Sequence, residues 1–214
     1  LIQQYCETND ILKLVNMPSN VFNKIKFTRK SFPKDKQDKF IQKLDMEDFN
    51  FRVSFQEEQD FNIHSNIARN IMSKWVDSKK NFRSLNRVRF HHESYPIFAD
   101  LTIVKGSKTN NRVPIPQYNI QEAGVFSNIE HYEIELEIDN SRVGSGTKFD
   151  DADKLLTELR KVIRIVLSGI QDTKYPVSYN EQDEIMKQYM NMIHGEEYEY
   201  KRALPKHFIG PSSY

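Results

Sequence analysis

A run of alternating acidic and apolar residues over positions 132–139 constrains the fold of this chain more than any other stretch. Strict alternation is typical of a β-strand with two chemically different faces. One face of this strand carries Glu133, Glu135, Glu137 and Asp139. Carboxylates two residues apart on a strand lie about 6–7 Å from each other, and each neighbouring pair repels by about 2–3 kcal/mol at an effective dielectric of 20. The row therefore faces either solvent, which screens the charges, or cations: a metal, basic strands opposite, or both.

The distribution of charge is more informative than its total. The 214 residues carry a net charge of +1, yet residues 1–112 hold 20 Lys and Arg against 13 Asp and Glu, whereas residues 113–214 hold 11 against 17. A basic half and an acidic half predict apposed surfaces or a site that needs both signs. The one cysteine, Cys6, excludes an internal disulfide and favours a reducing, intracellular compartment. No apolar run is long enough to span a membrane.

Four further stretches, 23–32, 49–55, 86–92 and 97–105, predict strands with one polar and one apolar face. Single apolar stripes predict helices that begin near residues 63, 150 and 178, and residues 33–48 are predicted to be a charged loop. We therefore predict an α+β fold built on an antiparallel β-barrel, with helices packed outside and polar faces turned inward. The alternative is an ordinary sheet whose polar faces point outward and whose apolar faces are buried against helices.

A barrel of this kind would enclose a ring of cations that faces a row of glutamates. Glutamates hold a hard divalent cation through oxygen ligands, and arginine binds phosphate oxygens in bidentate fashion. A metal between the two would lower the pKa of an attacking water. The predicted cavity therefore suits a metal-bound polyphosphate.

The chain resembles the RNA 5′-triphosphatase domain of mRNA capping enzymes from large cytoplasmic DNA viruses and related cytoplasmic linear plasmids. In these enzymes the domain is a triphosphate tunnel metalloenzyme, and residues 132–139 are similar to its glutamate-rich strand. The resemblance covers about residues 20–211 and is also carried by residues 51–54, 56–59, 87–90, 100–105, 170–175 and 208–211. It implies a triphosphatase domain over residues 1–195, followed by a linker, 196–214, toward a guanylyltransferase domain.

The resemblance implies hydrolysis of the γ-phosphate from the 5′ end of RNA, the first step of mRNA capping, with Mg²⁺ or Mn²⁺ as cofactor. Glu133 and Glu135 would be the metal ligands. Glu137 would support them or orient the water, and Asp100 would hold a basic neighbour or the water. The residues that would bind the substrate are Arg29, Arg52, Arg87, Arg89 and Lys105. Strict alternation puts Lys105 on the face opposite Asp100, so a bulge would be needed to bring it inside.

One departure from the family pattern concerns the metal. The family takes half of its metal ligands from a first Glu-x-Glu strand, which this sequence lacks, and we expect that strand to have been cut off or left out. A chain without it is expected to bind metal poorly, which leaves open whether the fragment is active as it stands.

The implied partners are 5′-triphosphate RNA and guanylyltransferase and methyltransferase domains of the same polypeptide, with no membrane, and the implied location is the cytoplasm, in a viral factory or virion. Two alternatives stay open at this point. The tunnel could instead hydrolyse nucleoside triphosphates or polyphosphate, or the domain could be a non-catalytic module that binds RNA or a partner in a capping complex.

Overall fold

The computed structural model describes residues 5, 9–15, 25–111, 113–196 and 199. In this part of the chain the helices are α1 Ile11–Val15, α2 Asn66–Ser73, α3 Ala152–Gln171 and α4 Tyr179–His194. The strands are β1 Phe27–Ser31, β2 Leu44–Met46, β3 Phe51–Val53, β4 Glu57–Phe61, β5 Arg83–His91, β6 Ile97–Gly106, β7 Thr109–Asn110, β8 Val113–Pro114 and β9 His131–Ile138. The mixed α+β composition predicted from the sequence is confirmed. Cys6 and nearly all of the expected linker 196–214 lie outside the described residues.

The strands of the described residues pair in antiparallel fashion. They form a three-stranded sheet in the order β5-β6-β9 and three two-stranded sheets, which pair β1 with β4, β2 with β3 and β7 with β8. The predicted antiparallel pairing is therefore present. Among the described residues these sheets do not close into a barrel.

Two clusters of buried side chains form the core. The first packs Ile11, Phe27, Ile63, Ala68 and Met72 between α1, α2 and the β1-β4 pair. The second consists of Phe82, Ile120, Ala123 and Val125. Trp75 packs against both clusters and donates a hydrogen bond from Nε1 to the hydroxyl of Tyr5 at 3.1 Å. The clusters are thus joined just before β5, the first strand of the three-stranded sheet.

Three short elements differ from the predicted ones. The strand predicted over 49–55 is shorter, because a 3-10 turn runs through Glu47–Phe49 and Asn50 takes a left-handed conformation with φ 53° before β3 begins. β2 lies in the stretch predicted to be a charged loop. β4 has no alternation of apolar residues, and it pairs with β1 through ion pairs such as Lys30 to Glu58 at 2.9 Å.

The apolar face of the three-stranded sheet is more open than expected. The sequence favours burial of this face against helices, but Val88, Phe90, Leu101 and Ile134 keep between 44% and 55% of their surface exposed. α3 and α4 present single apolar stripes and hold no buried residue, whereas the sheet face buries Ile97 at the start of β6. Of the helices that the structure describes, none has the length and apolar character needed to cross a bilayer.

Candidate functional site

The three-stranded sheet brings together three of the predicted strands: the acidic strand, β9, the strand that carries Arg87 and Arg89, β5, and the strand that carries Asp100, β6. β6 is the central strand, and its Asp100 lies opposite Arg89 on β5 and Glu135 on β9. Its Thr102 lies opposite Arg87 and Glu133 in the same register. Since side chains alternate along a strand, one face of the sheet collects all of these groups. We call this the polar face, and define it by Arg83, Arg87, Arg89, Asp100, Thr102, Glu133, Glu135 and Glu137.

Arginines and glutamates of the polar face pair one to one across the central strand. Arg83 Nη2 donates to both carboxylate oxygens of Glu133, at 2.8 and 2.7 Å. Arg87 Nη2 donates to Glu135 at 2.6 Å. The third pair, Arg89 to Glu137, measures 2.5 Å. Each edge strand therefore supplies one sign of charge, and the long side chains meet above β6.

Asp100 is the buried centre of this network. Only 1% of its side chain is exposed, and it accepts hydrogen bonds from Arg89 Nε and Nη2, both at 2.7 Å, and from Arg87 Nη1 at 3.1 Å. The hydrogen bonds from Arg89, together with the charges of Arg89 and Arg87, lower the pKa of Asp100 although burial acts in the opposite direction. The pKa of Arg89 is raised by the same contact, and its guanidinium lies 4.6 Å from the ring centre of Phe98.

The turn between β5 and β6 is fixed by an arginine from outside the sheet. Arg142 donates from Nη1 to the backbone carbonyls of Tyr95, at 2.6 Å, and His92, at 3.1 Å, and from Nη2 to that of Glu93. Three carbonyls of one turn are thereby satisfied by one guanidinium. This contact holds the end of the sheet at which Arg89 and Glu137 meet.

The network explains how the acidic strand tolerates its row of carboxylates. Three arginines face four carboxylates, so the polar face carries a net charge close to −1 instead of −4. Interactions with guanidinium groups at hydrogen-bond distance add to screening by solvent. Of the two possibilities that the sequence left open, both apply: the three glutamates lie opposite arginines, Glu135 and Glu137 also stay more than half exposed, and Asp139 accepts from Ser141 instead.

The glutamates do not fit a metal site in this arrangement. Their oxygen donors suit a hard divalent cation, but Glu133 and Glu135 both accept hydrogen bonds from arginines. Within the described ranges no group of three or more His, Cys, Asp or Glu side chains could hold a metal ion.

Three of the predicted substrate-binding residues lie elsewhere. Lys105 pairs with Ser84 in an uninterrupted register of β5 and β6, so it points to the face opposite Asp100, as strict alternation requires. Arg52 lies on the β2-β3 pair and donates to Asp45 at 2.5 and 2.9 Å. Neither belongs to the polar face.

Arg29 lies in the β1-β4 pair. Its Nη2 donates to Gln59 at 2.6 Å, and its guanidinium lies 5.6 Å from the ring centre of Phe61. The polar face thus unites Arg87, Arg89, Asp100 and the three glutamates among the predicted site residues, and it leaves out Arg29, Arg52 and Lys105.

Arg83 is the site residue that sequence reasoning missed. The strand was predicted to begin at residue 86, whereas β5 begins at Arg83. Arg83 precedes Arg87 and Arg89 at odd-numbered positions, so extension of the alternation by three residues would have placed it on the same face.

Comparison of the chain with protein-family models, curated proteins and solved structures found no match. A functional conclusion therefore rests on the geometry of the polar face together with the resemblance described above.

Proposed function

We propose that this chain is a 5′-triphosphatase domain for RNA, which removes the γ-phosphate as the first step of mRNA capping. The observation that carries the proposal is the polar face: a row of three arginines and a row of three glutamates flank a buried aspartate on one side of one sheet. Arginine side chains in a row can bind several phosphate oxygens in bidentate fashion. Closure of the sheets into a tunnel around this face, and guanylyltransferase and methyltransferase domains as partners in the same polypeptide, belong to the same proposal.

The reaction requires little covalent chemistry from the protein. Water attacks the γ-phosphorus, the bond to the oxygen that bridges the β- and γ-phosphorus atoms breaks, and the products are orthophosphate and a 5′-diphosphate RNA end. Negative charge spread over the γ-phosphate oxygens in the transition state is stabilised by positioned cations. Arg87 and Arg89 would supply this stabilisation, with Arg83 at the end of the row.

The two candidate roles of Asp100 can be separated by geometry. Asp100 is buried, it accepts three hydrogen bonds from arginines, and its pKa is lowered, so it is a poor acceptor for the proton of the attacking water. We therefore assign it as a positioning residue that holds Arg87 and Arg89. Glu137, which is 57% exposed, is the better candidate to orient the water and take its proton.

The test is release of the γ-phosphate from RNA labelled at that position, measured with Mg²⁺, with Mn²⁺ and with EDTA. Mg²⁺ or Mn²⁺ is the cofactor that the resemblance implies; because Glu133 and Glu135 are held by arginines in this structure, the comparison with EDTA tests metal dependence separately from the role of the arginines. Arg87→Ala is expected to reduce the rate about 100-fold or more, in line with the loss of one charge-stabilising donor. Lys30→Ala removes a cation of comparable exposure from β1 and serves as the matched control, with no change expected.

Two outcomes would contradict the proposal, and a third would change only its substrate. An unchanged rate in Arg87→Ala would remove the polar face from the reaction. Binding of triphosphate-ended RNA without any release of phosphate would favour a non-catalytic module. Faster turnover of ATP or tripolyphosphate than of RNA ends would keep the chemistry and change the substrate to free nucleotides or polyphosphate.

A further inference from the structure

The arginines of the polar face are already occupied by carboxylates of the same chain. Arg83 donates from Nη2 to both oxygens of Glu133, so the donor that would meet a phosphate is already occupied by a carboxylate. Arg87 and Arg89 each contact a glutamate in addition to Asp100. A polyphosphate that enters this face must therefore displace carboxylates before it can bind arginines.

The net charge of the face opposes the same ligand. Four carboxylates outnumber three arginines, so an incoming polyanion meets a surface with an excess negative charge. The pairs are accessible to different degrees: the side chains of Glu135 and Glu137 are 52% and 57% exposed, and Glu133 is 27% exposed beside an Arg83 that is 39% exposed. Exposed ion pairs of this kind are individually weak, so a ligand of suitable chemistry can exchange with them.

We propose that Glu133, Glu135 and Glu137 are built-in competitors for the arginine row, and that they hold the face in an autoinhibited state toward free polyphosphate anions. This inference rests on the proposed function, since it concerns the same arginines, but it makes a separate statement about binding. The three glutamates are not equivalent in it. Loss of Glu133 leaves Arg83 without a carboxylate partner in the described part of the chain, whereas loss of Glu137 leaves Arg89 bound to Asp100.

The experiment measures binding of tripolyphosphate by isothermal titration calorimetry, in EDTA and at fixed ionic strength. Glu133→Gln is expected to bind about tenfold more tightly than the unmodified chain, because a competitor and a negative charge are both removed. Glu137→Gln is expected to gain no more than about threefold, since Asp100 still holds Arg89. Glu58→Gln removes one exposed carboxylate that pairs with Lys30 on β1 and should leave the affinity unchanged.

The ranking of the variants by their affinity for tripolyphosphate decides whether the glutamates compete with the ligand. Equal gains in affinity for Glu133→Gln, Glu137→Gln and Glu58→Gln would reflect net charge alone and would overturn the proposal. A Glu133→Gln protein that binds tripolyphosphate no tighter than the unmodified chain would overturn it too, and so would the absence of binding to both proteins. Circular dichroism of each variant shows whether it is folded. Glu135→Gln, which leaves Arg87 with Asp100, replaces Glu137→Gln if that variant is unfolded, and Glu133→Thr, which also removes the partner of Arg83, replaces Glu133→Gln.

Failure of this inference can be distinguished from failure of the proposed function. A chain that shows the graded gain in binding but releases no phosphate from RNA ends would refute only the enzymatic proposal. A chain that releases phosphate but binds tripolyphosphate no better after Glu133→Gln would refute only the competition.

Discussion

Replacement of Asp100 by asparagine tests whether the buried carboxylate organises the polar face. The substitution keeps the shape of the side chain and one acceptor oxygen but removes the charge that faces Arg87 and Arg89. Breaking a buried ion pair by removing one partner costs about 3–5 kcal/mol. Both arginines are more than one-third exposed and retain Glu135 and Glu137, so we reduce this to a loss of about 2–3 kcal/mol in the free energy of unfolding.

Urea denaturation followed by circular dichroism measures this loss. With a slope of about 2–3 kcal/mol per molar urea, the midpoint should fall by about 1 M. Asp60→Asn is the matched control, because Asp60 also accepts from a cation, Lys26 at 2.9 Å, but its side chain is 55% exposed. The control should leave the midpoint close to that of the unmodified chain.

The dependence on pH supplies an independent check. Hydrogen bonds from Arg89 are the main reason that the pKa of Asp100 is lowered in the folded chain. A carboxyl with a lowered folded-state pKa stabilises the fold above its unfolded pKa, about 3.9, and this contribution is lost as the pH falls through the folded-state value. The difference in unfolding free energy between the unmodified chain and Asp100→Asn should therefore be constant from neutral pH to about pH 5 and shrink below about pH 4.

Either of two results would refute the role assigned to Asp100. If Asp100→Asn lowered the midpoint no more than Asp60→Asn, or if its effect did not change with pH, Asp100 would not be the charged centre of the network. Its burial would then reflect packing alone.

The remaining predictions concern helices and catalysis. Ser178→Ala removes the N-cap of α4, whose side chain accepts from the backbone N–H of Glu181 at 3.2 Å, and thermal denaturation should show a loss of about 1 kcal/mol. Asp172→Gly should raise the unfolding free energy by about 1 kcal/mol, because residue 172 ends α3 in a left-handed conformation with φ 53° that glycine adopts without strain; a loss of stability would contradict this. In the phosphate-release assay, Arg89→Ala should reduce the rate about as strongly as Arg87→Ala, whereas Lys105→Ala, on the opposite face of β6, should change it little.

Alternation along single strands was enough to predict which residues share a face. Period-two patterns placed Arg87 with Arg89, Asp100 with Thr102, and the glutamates of β9 with one another, and the register of the sheet confirms each set. These predictions hold because side-chain direction in a strand is fixed by the backbone and needs no knowledge of partners.

The choice of partners could not be predicted in the same way. Arg87 and Glu135 are far apart in sequence, and which arginine meets which glutamate depends on the register of β5, β6 and β9. That register is set by the two connections and by packing, which leave no periodic pattern. β4 was missed for a related reason, since its Asp60 and Glu58 pair with Lys26 and Lys30, and such partners leave no periodic pattern within the strand itself.

Because the glutamates of β9 pair with arginines, the row cannot be interpreted as a metal site from its sequence alone. Neighbouring carboxylates about 6–7 Å apart on β9 repel, but each of the three glutamates has an arginine at hydrogen-bond distance, which is closer than either neighbouring carboxylate. The row is therefore stable without a metal, and loss of activity on substitution of a glutamate would not by itself identify a metal ligand. Opposite effects of Glu133→Gln on binding and on catalysis would be informative. If this variant binds tripolyphosphate more tightly in EDTA but releases less phosphate from RNA with Mg²⁺, the Glu133 carboxylate both competes with the substrate and contributes to its hydrolysis.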